Sequence, residues 1–314
     1  MKKLFTYLAV AMLGMAAAAC QKEVGVAEAG KGNVVFTIET PGVSTKTIGD
    51  GENVDIVYYE IYKAEEGHKN SVKGGDPLIK GSTKVAGKRA ELTLNLLKDQ
   101  NYVALFWANV HGYGEQYYDV TDLRKVQVKY VTAEAKNAPA NDEDRAAFCQ
   151  RHNFSTTKSG VNNQRVELKR PFAQINLGTT KKSLNIDYPI VLEKSKMEIA
   201  GAGTVFNVAE MKATGDYTHV IYDFNAVPDQ TLTVGENEYA YAGMNYILVP
   251  TNQSTVKLTY DIMTDVGTVN RTVLDVPVQA NFRTNLLGNL LTQETRIEII
   301  VDNDFLGDRN VNVE

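Results

Sequence analysis

Apolar residues recur at every second position along most of this chain, and that period restricts the fold more than any other feature. In NVVFTIET, Val34, Phe36 and Ile38 share one face. ELTLNL does the same with Leu92, Leu94 and Leu96, and KVQVKY with Val126, Val128 and Tyr130. TVKLTYDI sets Val256, Leu258, Tyr260 and Ile262 against Lys257, Thr259 and Asp261, and TRIEIIV sets out Ile297, Ile299 and Val301. Successive side chains of a strand point to opposite faces, so this period describes strands with one face on a core. About a dozen such runs are separated by Gly, Asn, Asp and Pro, the punctuation of antiparallel sandwiches rather than of strand–helix–strand units.

The expected fold is therefore all-β, with two tandem antiparallel β-sandwiches. YVALFWANV, residues 102–110, is apolar on both faces, which suits a central strand with Trp107 in the core. One helix is expected, over residues 141–152 (NDEDRAAFCQRH): Asn141 or Asp142 caps it, acids fill the first turn, and Ala146, Ala147 and Phe148 pack. The first sandwich is assigned to residues 33–170 and the second to residues 171–314. No period repeats across the chain.

The N-terminus has a different character. Lys2 and Lys3 precede a run, Leu4 to Ala19, that is apolar apart from Thr6 and Tyr7. The run is short for a membrane span, and its length, flanks and small-residue end fit a signal peptide over residues 1–19. Small residues then lead straight into Cys20, an arrangement that resembles the lipobox of bacterial lipoproteins, although Ala17 stands where that motif carries Leu. Cys20 is the expected lipidation site, and residues 20–32 a polar, flexible tether to the outer membrane.

Removing residues 1–19 leaves 31 basic residues against 38 acidic ones. A mildly acidic surface has no footprint for nucleic acid. Cys20 and Cys149 are the two cysteines, so acylation of the first excludes an intrachain disulfide. No nucleophile elbow, zinc-protease helix, phosphate loop or dinucleotide fingerprint occurs, and the reading is of a protein without enzymatic activity or cofactor. GAGTVF at 201–206 reads as a turn between strands. Cys149 and His152 lack a second pair to complete a metal site, and read as a packed thiol beside a surface imidazole. Asp302, Asp304 and Asp308 read as a solvated turn. The tyrosines of GYGEQYYDV allow two readings: Tyr113, Tyr117 and Tyr118 form an adhesive or ligand-binding loop, or Tyr117 or Tyr118 opens the next strand.

Taken in order, these segments resemble the fimbrillin-like surface lipoproteins of Bacteroidales-type bacteria. The resemblance rests on the lipobox followed by QKE, on TKTIGDGENVDIVYYEIY after the first strand, and on Arg170, Ala173 and Ile175 of VELKRPFAQINLG. It rests also on Asn281, Phe282, Arg283, Thr284 and Asn285 of VPVQANFRTNLLGNLLT. It implies transthyretin-like sandwiches and a role as fimbrial (pilus) subunit or adhesin. It also implies partners: other subunits or a second copy, joined by strand exchange after a protease removes the first strand, and host or bacterial surface ligands. No Arg lies between Cys20 and Arg89, so Lys46 is the expected cut point in the loop after the first strand. The alternative is a surface glycan-binding sandwich lipoprotein.

Overall fold

The alternating runs become strands. The computed structural model describes residues 30–302 apart from 42–49, 66–67, 73, 113, 132–136, 185–188, 251 and 293–296. In chain order the strands are β1 (Lys31–Glu39), β2 (Ile56–Glu65), β3 (His68–Val72), β4 (Ile79–Lys84), β5 (Arg89–Leu97), β6 (Asn101–Asn109), β7 (Tyr118–Asp119), β8 (Val126–Val128), β9 (Ala138–Pro139) and β10 (Phe148–Ser155). There follow β11 (Asn162–Glu167), β12 (Phe172–Thr180), β13 (Leu192–Asn207), β14 (Lys212–Ala226), β15 (Thr231–Val234), β16 (Asn237–Leu248), β17 (Ser254–Thr264), β18 (Gly267–Val278), β19 (Arg283–Gly288) and β20 (Glu298–Asp302).

Two sheets come from the first half of the chain, β11-β1-β5 and β10-β6-β2, the latter extended by β3 and β4. The second half forms β15-β16-β12-β19-β20 and β18-β17-β13-β14. The inward faces follow the sequence pattern: Val34, Phe36, Ile38, Leu92, Leu94 and Leu96 are buried in the first pair, and Ile175, Leu177, Met197, Ile199, Leu258 and Ile262 in the second. The two sheets of the second pair meet closely, since a Cβ at Gly243 of β16 would lie 2.7 Å from Met197 Cε of β13.

The expected boundary near Arg170 falls in the crossover from β11 to β12. The long connection from β6 to β10, however, leaves the first pair of sheets and joins the second: β8 pairs with β13, and β9 with β14. The halves also share apolar contacts. Trp107 of β6 is fully buried, with its ring 5.3 Å from Tyr118, 6.3 Å from Phe172 and 6.2 Å from Phe206. One continuous cluster of buried side chains runs through both halves.

Two expectations are corrected. Residues 141–152 are not a helix: a single 3-10 turn, Glu143–Arg145, capped by Asp142, leads into strand β10. Ala146, Ala147, Phe148 and Cys149 are all buried, and Cys149 sits opposite Trp107 in an eight-residue ladder with β6. Long-range pairing of a segment buried on both faces overrides its local helical preference. The α-helical turn among the described residues is Gly114–Tyr117 instead. GAGTVF is not a turn either but lies inside β13, at two register shifts against β14. Gly203 serves close packing there, since a Cβ would stand 3.3 Å from Leu248.

Candidate functional site

The first strand occupies the centre of its sheet. Nine residues of β1 pair antiparallel with β5, and six pair parallel with β11. Its three inward side chains are at most 1% exposed, and Phe36 meets Phe106 at 5.5 Å and Phe154 at 5.1 Å, both edge-on. Burying three such side chains stabilises the strand by roughly 5–9 kcal/mol, at about 1.5–3 kcal/mol each. An emptied groove would expose that surface and two rows of backbone donors and acceptors. It therefore favours immediate refilling by another strand.

The end of β1 is held by a hairpin turn. Gly87 and Lys88, both at positive φ, join β4 to β5. The Lys88 carbonyl accepts from the Thr40 backbone N–H at 3.0 Å, while its Nζ donates to Asp50 Oδ2 and to the Asp50 carbonyl, each at 3.3 Å. Thr40 and Asp50 flank the loop that contains Lys46, so one residue ties both ends of that loop. Sequence reasoning missed Lys88; the Gly-Lys pair between two alternating runs marks the turn but not its partners. Gly51 beside it has φ +74°, and a Cβ there would lie 2.5 Å from the Phe148 ring.

The second half repeats the arrangement. β12 lies between β16, antiparallel, and β19, parallel, as β1 lies between β5 and β11. The two motifs behind the family resemblance meet at β12–β19. Gln174, Ile175 and Asn176 pair with Arg283, Thr284 and Asn285, and the Arg170 backbone N–H donates to Asn281 Oδ1 at 3.0 Å. Asn176 Nδ2 donates to Asn285 Oδ1 at 2.8 Å. The Arg170 guanidinium lies 4.4 Å over Phe148 and 4.8 Å over Tyr246. These residues form a buried joint between strands rather than a ligand site.

Of the two readings of the tyrosine segment, the described residues follow the one in which a tyrosine opens the next strand. Tyr117 and Tyr118 are each 2% exposed, and Tyr118 opens β7. Their hydroxyls are satisfied inside, Tyr117 donating to Asp142 Oδ2 at 3.2 Å and Tyr118 to the Arg145 carbonyl. The buried Arg145 guanidinium, 4.0 Å over the Tyr117 ring, holds that residue inward. Tyr113, Lys46 and Cys20 lie outside the described residues, as do Asp304 and Asp308. Cys149 is buried, and burial pushes its thiol pKa up, which makes it unreactive. His152 pairs with Gln164 Oε1 at 2.9 Å. Among the described residues no three His, Cys, Asp or Glu side chains converge on a point that could hold a metal ion, and no helix is long and apolar enough to cross a membrane.

This architecture defines an all-β protein of tandem sandwiches with its first strand buried at the centre of a sheet. Residues 26–314 match the family of unknown function DUF6562, and the chain belongs to that family. No curated protein matches the sequence. Its fold is similar to that of a candidate adhesin from Bacteroides thetaiotaomicron, at TM-score 0.53 and 13% identity, covering 87% of this chain and 97% of that one. A candidate polysaccharide-binding protein of the same organism matches at TM-score 0.47 and 13% identity (86% and 96% covered). A fimbrial assembly protein from Parabacteroides distasonis matches at TM-score 0.46 and 12% identity, with 87% and 96% covered.

Proposed function

We propose that this chain is a cell-surface lipoprotein, anchored through Cys20, that serves as a fimbrial subunit or adhesin and assembles by exchange of its first strand. The observation that carries the reading is the placement of β1: central in its sheet, with three side chains in the core. The segment after it, residues 41–50, contains one basic residue, Lys46. Cleavage after Lys46 leaves β1 held by backbone ladders, apolar contacts and the exposed Glu39–Arg165 ion pair, and an incoming strand of like pattern can replace the ladders and the apolar contacts one for one. The similarity of fold to a candidate adhesin supports a surface role. The glycan-binding alternative depended on exposed aromatics, and the burial of Trp107, Tyr117 and Tyr118 weighs against it.

Limited trypsin digestion of the folded protein, with N-terminal sequencing of the large fragment, tests the reading. The expected result is a new N-terminus at Thr47, followed by oligomers that survive unboiled electrophoresis. A loop that resists trypsin while other sites are cut, or a cut product that stays monomeric, contradicts strand exchange.

A further inference from the structure

We infer that the end of the first sandwich where β1 begins rests on the bilayer that holds Cys20. This rests on the lipoprotein reading but not on strand exchange. Three stretches meet at that end. β1 starts at Lys31, which pairs with Leu97 at the end of β5, and the loop from β10 to β11, residues 156–161, closes beside it. The connections are explicit: Lys98 N–H donates to the Gly30 carbonyl at 2.8 Å, Thr156 Oγ1 donates to the Leu97 carbonyl at 2.7 Å, and Lys158 pairs with Asp99 at 3.5 Å.

The surface there combines exposed apolar side chains with lysines. Leu97 is 51% and Val161 60% exposed, which puts two large apolar side chains in solvent at one end. With the end of β2, where Lys63 pairs with Tyr102, this end holds Lys31, Lys63, Lys98 and Lys158 against Asp99 and Glu65, in a chain whose net charge is −5. Lysines around apolar side chains suit a headgroup layer, where phosphates attract the cations and the alkyl groups enter the acyl boundary.

Chain length decides which surface is within reach. Ten residues separate Cys20 from Lys31. Fully extended they span at most roughly 36 Å, and as a flexible coil about 17 Å. An acylated Cys20 therefore keeps this end against the membrane at high local concentration, whereas the opposite end, beyond β1, stands about 30 Å further away at the rise of a strand. Weak attraction is enough to orient a body already tethered.

The test uses the acylated full-length protein in vesicles of phosphatidylethanolamine and phosphatidylglycerol carrying doxyl-labelled lipid. An environment-sensitive fluorophore is attached at Leu97→Cys, Val161→Cys or, as the far-end control, Ala86→Cys; Cys149 is buried and does not compete. Mass spectrometry first establishes acylation of Cys20. The expected result is loss of most fluorescence at 97 and 161 with none at 86, and recovery when Lys98→Glu and Lys158→Glu are combined or salt is raised. Equal quenching at all three positions overturns the inference while leaving the anchor in place. So does shielding of 97 and 161 that persists in detergent without vesicles, which would mark contact with a second copy. A Cys20 without acyl chains removes the lipoprotein reading itself, and this inference with it.

Discussion

Trp107 and Glu60 show how single residues tie this molecule together. Trp107 was legible in the sequence, because both faces of residues 102–110 are apolar and such a strand has no wet side. Its partners were not legible, since Phe172 and Phe206 come from the other half of the chain. Trp107→Ala is expected to cost about 3–5 kcal/mol in urea unfolding; a loss below about 1 kcal/mol, the scale of a surface change, would place the ring at the surface. Glu60 is 3% exposed on β2, accepting from Tyr62 Oη at 2.7 Å and from the Leu123 backbone N–H at 3.2 Å. Burial raises its pKa, opposed by those two hydrogen bonds. A raised folded pKa means that its contribution to stability is fully present below the unfolded value, about 4.3, and is lost as pH rises through the folded one. Glu60→Gln removes that loss. Its urea midpoint is therefore expected to gain on wild type between pH 4 and pH 7, and a constant difference across that range would contradict the assignment. Nothing in the pattern around Glu60 or the tyrosines pointed to these partners, which lie up to 63 positions away.

At the scale of elements, alternation marked the strands because a half-buried strand writes its orientation into the sequence. It failed where a strand lacks strict alternation or bends. β10 carries helix-compatible residues but is held by its ladder to β6, and β13 carries glycines that serve bulges and close packing rather than a turn. β1 itself was legible; its place between β5 and β11 was not, because strand order depends on pairings far apart in sequence, such as Lys31 with Leu97 and Glu39 with Glu167. The Lys88 tie belongs to this scale. The ion pair with Asp50 is partly exposed, with side chains 25% and 12% accessible, so Lys88→Ala is expected to change stability by less than about 1 kcal/mol. It is expected to speed tryptic cutting of the loop between Thr40 and Asp50, followed as appearance of the large fragment over time. An unchanged rate would show that the tie does not control access.

For the molecule as a whole, the shared core and the strands β8 and β9 docked onto the second half make the two sandwiches one body. The two-sandwich plan was legible from the alternating runs and the chain length, but the joint was not, since β8 and β9 lie within the first half in sequence and pair with the second in space. The central claim is that the groove of β1 is where subunits join. A synthetic peptide spanning residues 31–40 tests it most directly. Added in excess to protein cut after Lys46, the peptide should reoccupy the groove and abolish the ladder of oligomers in unboiled electrophoresis, while a peptide with Val34, Phe36 and Ile38 replaced by Asp should leave the ladder intact. A ladder that persists at saturating wild-type peptide would contradict the account.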